Sequence, residues 1–112
     1  MNLDIFNNIC SERIKKIKET LLEKSEQYSH NNDKLHNFRK VAAFRNISAA
    51  EALMGMMMKH ITALDDYIQL CGDGDYSQVS PEQWDEKIGD IQCYLILLEA
   101  ILKERVVDGS TC

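Results

Sequence analysis

The 112-residue chain carries 18 acidic and 13 basic side chains, a net charge of −5, with 45% apolar and 28% charged residues. Such a length holds one domain and not two. The acidic balance argues against a general nucleic-acid coat, because phosphate backbones are bound by basic surfaces.

One proline and five glycines suit a helical globule better than a disordered or all-β chain. The longest apolar run, Cys93 to Leu98, is too short to cross a bilayer, and the opening MNLDIFNN lacks the basic and apolar regions of a signal peptide. A cytoplasmic protein with no membrane partner is expected. Cys10, Cys71, Cys93 and Cys112 are scattered without a CxxC pair, so reduced thiols are expected instead of a zinc site or a disulfide scaffold. The chain also lacks a glycine-rich phosphate loop, a GxSxG elbow and an HExxH helix, the signatures of kinases, serine hydrolases and zinc proteases.

The first predicted helix covers residues 3–27, where Phe6, Ile9, Cys10, Ile14, Ile17, Leu21 and Tyr28 recur at helical spacing. Arg13 and Lys24 interrupt that apolar face, and Lys24 stands one turn before Tyr28 on the same side. Lys24 is therefore either a snorkelling surface lysine or a ligand-facing one. The polar break SHNNDK separates it from a short second helix, residues 33–46, carried by Leu35, Phe38, Val41 and Ala42 and capped by Asn32 or Asp33. Asn37 falls near its buried side, where an amide serves a ligand or a neighbouring backbone group equally well.

Ser48 and Glu51 form a capping box that starts a third helix over residues 49–70. Leu53, Met57, Ile61, Leu64 and Ile68 make its inner face, flanked by Met54 and Met56. His60 comes out between Met56 and Leu64, with Lys59 beside it, so a titratable ring is expected inside. The connection CGDGDYSQVS lacks the sixth-position glycine and the closing glutamate of a calcium loop.

Ser80, Pro81 and Gln83 begin the fourth helix, residues 81–105. Trp84, Ile88, Ile91, Leu95, Leu98 and Leu102 share one line, widened by Tyr94, Leu97 and Ile101, while Gln92, Glu99 and Lys103 mark a narrow wet side. Asp90 falls between Leu97 and Ile101, with Glu86 one turn earlier, so both carboxylates are expected to point inward. A carboxylate removed from water needs a cation, a metal or hydrogen-bond donors, or it costs several kcal/mol. Four helices with short connections make an all-α, four-helix up-and-down bundle. Three of the helices are long for so small a chain, and the apolar breadth of the fourth leads to an expected homo-oligomer, at least a dimer.

The inward groups form a set: Lys24, Tyr28, Asn37, Lys59, His60, Glu86, Asp90 and Tyr94. The fragments EKSEQY (23–28), HNF (36–38), KH (59–60) and EKIGDIQCY (86–94), in that order, resemble a small all-α family of phages and prophages described as nucleotide-modification associated. That family is similar, distantly, to the MazG-like nucleotide pyrophosphohydrolases. The resemblance covers most of residues 20–105. It implies a MazG-like fold, a nucleotide or nucleotide-derived ligand and, for a phage-encoded chain, the host cytoplasm. In the MazG-like enzymes an ExxE pair and an ExxD pair gather magnesium, a hard cation that prefers oxygen ligands. Here Glu23 and Glu26 keep the first spacing but turn off the apolar face, and Glu86 with Asp90 is ExxxD. Nucleotide capture, with a signal used in host defence as one candidate ligand, is thus the first expectation. A magnesium-dependent pyrophosphohydrolase with Glu86 and Asp90 as metal ligands, and a helical adaptor or inhibitor of another protein, are the alternatives.

Overall fold

The computed structural model describes the backbone of residues 1–28 and 35–107, and the side-chain surroundings of residues 1–23 and 35–104. Four helices follow one another: α1 (Leu3–Tyr28), α2 (His36–Arg45), α3 (Ala49–Cys71) and α4 (Pro81–Val107), with a 3-10 turn at Tyr76–Gln78 before the last. Among the described residues there is no strand.

The local signals hold where they are strongest. Ser48 Oγ accepts from the Glu51 backbone N–H at 3.1 Å while the Glu51 carboxylate accepts from the Ser48 N–H at 3.2 Å. Ser80 and Gln83 repeat this reciprocal pair at 3.1 Å each way, and Pro81 follows at the first helical position, where its missing N–H costs nothing. Asn46 ends α2 in the left-handed conformation, φ 57°, and the Ile47 N–H bonds the Ala42 carbonyl at 2.9 Å. Helix α2 starts later than expected, at His36, with Leu35 as a cap lacking a side-chain bond. Asn32 and Asp33, expected as its cap, lie outside the described residues. Asp75 nucleates the 3-10 turn: its carboxylate accepts from Ser77 and from Gln78, and the Ser77 hydroxyl chiefly holds it below the usual carboxylate range.

Leu35 at the cap of α2, Phe38 from α2, Leu53 from α3 and Ile101 from α4 make the buried centre, with Met56, Tyr94, Leu97 and Leu98 packed against it. Helices α2, α3 and α4 thus form the core, and α1 lies against α4. On α4 the buried line is Asp90, Cys93, Tyr94, Leu97 and Ile101, the expected line turned by one residue, about 100°. Leu95 and Leu102, expected inside, are half exposed, as are Ile68 and, less so, Met54 on α3. The reason is the near-continuous apolar circumference of α4, which leaves the packing of α2 and α3 to choose the inner face. Asp90, expected within the apolar arc, lies on the buried line. Gln92, expected on the wet side, is half-buried, and its amide oxygen meets no hydrogen-bond donor among the described residues.

A radius of gyration of 16.6 Å exceeds the ~13 Å of a compact chain this long, and the molecule measures 46 × 29 × 26 Å. No helix, among the described residues, is long and apolar enough to cross a membrane. The thiol of Cys10 is exposed, and Cys71 and Cys93 are buried.

Candidate functional site

Asp90 is the one charged side chain among the described residues that is buried, at 9% exposure. Its Oδ2 faces His60 Nδ1 of α3 at 3.4 Å, an electrostatic contact longer than a formed hydrogen bond. The His60 ring lies 5.2 Å from that of Tyr94, one turn along α4 from Asp90, and Tyr94 meets Phe38 edge-on at 6.4 Å. Acid, imidazole and phenol therefore stand together between α3 and α4.

On its other side Asp90 lines a groove of about 380 Å³ between α1 and α4, with Arg13, Lys16, Glu19, Thr20, Asp85, Glu86 and Gly89. The volume is within the ~300–1,000 Å³ of small-molecule sites. Asp85 ties the two helices together. One carboxylate oxygen accepts from Arg13, whose Nη1 also reaches the Asp85 carbonyl at 3.4 Å, and the other accepts from Lys16 Nζ at 2.9 Å. Gly89 permits the approach, since a Cβ there would come within 3.2 Å of Arg13 Nη1. A glycine inside a helix costs about 1 kcal/mol against alanine, and here it clears the guanidinium's seat on α4.

Lys16, hydrogen-bonded to Asp85, and then Arg13 hold that carboxyl below the usual carboxylate range, against the opposing effect of desolvation. A depressed folded-state pKa means that the contribution is complete above the unfolded value of about 3.9 and is lost as pH falls through the folded one. Attachment of α1 should therefore weaken below about pH 4. Denaturation midpoints followed from about pH 5 down to pH 3 will show a loss that Asp85→Asn, uniformly weaker, no longer displays.

Of the expected site residues, His60, Asp90 and Tyr94 come together. Glu86 lines the groove but is exposed, contrary to the inward orientation expected, because it lies one turn nearer the end of α4, short of the buried line. Lys59 is likewise exposed: it is 100° round α3 from His60, and only His60 takes the inner position. Asn37 lines a separate hollow of about 330 Å³ with Phe38, Lys40, Val41, Met56 and Tyr94. The side chains of Lys24 and Tyr28 lie outside the described residues. Arg13, Lys16, Glu19, Thr20, Asp85 and Gly89 are the groove residues that the sequence set omits. Their sequence signals are an arginine breaking an apolar face and a glycine inside a strong helix.

Among the described residues no three histidine, cysteine or carboxylate side chains are placed to hold a metal. Glu86 and Asp90, one turn apart, stay a pair next to two cations. No family model matches the chain, and neither a curated protein nor a solved structure shows significant similarity to it.

Proposed function

We propose that this chain is a phage-type nucleotide-binding protein, which captures a nucleotide or nucleotide-derived signal, such as one used in host defence, in the groove between α1 and α4. The observation that carries the reading is the placement of Asp90, buried between His60 on one side and a groove containing Arg13 and Lys16 on the other. A carboxylate held there accepts hydrogen bonds from the amino and ring N–H groups of a base, while the guanidinium and ammonium donate to phosphate oxygens. Tyr94 lies against His60, with ring centroids 5.2 Å apart and planes tilted by 39°.

Charge narrows the ligand class. Four carboxylates line the groove against two cations, and both cations already share Asp85. A free triphosphate would meet net repulsion. A nucleoside monophosphate or a cyclic nucleotide, with one or two negative charges, matches the donors available.

Calorimetric titration with mono-, di- and cyclic nucleotides tests this. Saturable binding tighter than about 100 μM, strongest for the ligands of one or two negative charges, is expected, and affinities no better than millimolar end the proposal. Release of pyrophosphate from a nucleoside triphosphate in magnesium, abolished by Asp90→Asn, would replace capture with hydrolysis. A MazG-like fold and self-association belong to the same proposal. The second is favoured by the apolar side chains that α1 leaves uncovered, among them Leu3, Phe6 and Ile9.

A further inference from the structure

The side of α1 that faces α4 is half-buried at Arg13, Ile17, Thr20 and Leu21. At 100° per residue the same face continues toward the N-terminus as Leu3, Phe6 and Cys10, with Ile9 at its edge. There no described residue covers it: all of residues 1–12 are exposed, Leu3 at 71%, Phe6 at 53% and Ile9 at 51%. Beside these turns lies an open hollow of about 750 Å³ whose apolar lining is Ile9, Tyr76, Val79, Trp84 and Ile88. Trp84 is fixed in it by its indole N–H, which donates to the Tyr76 carbonyl at 3.2 Å, and by edge-on contacts with Tyr67 and Tyr76. An exposed apolar ridge and an aromatic hollow thus sit side by side.

The molecule's total surface area exceeds that of a compact monomer. The chain exposes 8259 Å². A compact monomer of 12.9 kDa exposes about 6,300 Å², so the excess is roughly 2,000 Å². Obligate homodimers bury about 1,000–2,500 Å² on each subunit, which brackets that excess. Charge points to the same occupant, because α1 continues past the ridge as Arg13, Lys15, Lys16 and Lys18 in a chain whose net charge is −5. A second copy presents an acidic body to this basic stretch.

We propose that the first three turns of α1 form a two-fold self-association surface, with Leu3 and Phe6 of each copy entering the hollow around Trp84 of the other. This rests on the self-association part of the proposed function and not on nucleotide capture. Arg13 lines both the hollow and the ligand groove, so the groove lies at the margin of the shared surface.

Sedimentation equilibrium of the full chain without ligand, from low to high micromolar concentration, is the test, alongside Leu3→Glu/Phe6→Glu and Phe44→Glu. Phe44 is 92% exposed on α2 and serves as an apolar control away from the ridge. The wild type and Phe44→Glu should have twice the mass of the chain, and the double variant should associate at least ~100-fold more weakly with its far-UV helix signal retained. A monomeric wild type at high micromolar concentration overturns the proposal, and so does a double variant that dimerises as tightly as the wild type. Leu3 and Phe6 touch little within one chain, so failure to fold is not expected. Should the double variant nonetheless lose its helix signal, Trp84 fluorescence of the wild type decides instead. It must change with concentration across the association range, and a constant spectrum while the mass doubles places the interface elsewhere.

Discussion

Replacing Asp90 with asparagine is expected to weaken nucleotide binding about 30-fold, or ~2 kcal/mol, while shifting stability by no more than about 1 kcal/mol. The reason is the position of this side chain at the meeting of three elements, with only 11% of it exposed. Asparagine keeps the size of the group and an acceptor oxygen toward His60, so the packing of α3 on α4 survives. What it removes is the negative charge, and hydrogen bonds to a charged acceptor are roughly twice as strong as neutral ones. A carboxylate serving only as a structural partner of His60 gives the opposite pattern. Stability then falls by ~2 kcal/mol or more, and binding by the folded fraction is unchanged. Calorimetry and urea denaturation on the same preparation separate the two.

Leu53→Ala is expected to cost the fold about 3 kcal/mol, a large part of the ~5–15 kcal/mol that holds a domain together. Leu53 is fully buried and belongs with Leu35 at the cap of α2, Phe38 of α2 and Ile101 of α4 to one packed cluster, so the cavity left behind has walls from three helices. None of these closes it without moving the others. The neighbouring Met58→Ala, at a position 48% exposed, is expected to cost under about 0.5 kcal/mol. Urea denaturation midpoints compare the pair, and equal losses would place the core elsewhere.

The parts of this architecture legible in the sequence are those fixed by neighbours in the chain. Ser48 with Glu51 and Ser80 with Gln83 set the starts of α3 and α4 because each reciprocal cap spans only three residues. The burial of Asp90 is legible too, since an acid set within an apolar arc is carried inward by the side chains on either side of it. The rotation of α4 is not, because Leu95 and Leu102 are as apolar as Leu97 and Ile101, and no periodicity distinguishes the two lines. Lys59 and His60 show the same limit on α3, where adjacent residues diverge by 100° and only packing decides which turns inward. The basic half of the groove is hidden for a different reason. Arg13 and Lys16 meet Asp85 across some seventy residues of chain, and nothing local to α1 names that partner. Gly89 is the available sign, a residue that helices disfavour, placed where a cation from another element needs room.

The placement of the ligand is tested most directly by following backbone amide resonances while a nucleoside monophosphate is added. Ligand in the groove between α1 and α4 requires that the largest shift changes fall on Arg13, Thr20, Gly89 and Asp90, and that they saturate together with the calorimetric isotherm. Changes confined to the hollow around Asn37, or no saturable change at all, would contradict the account.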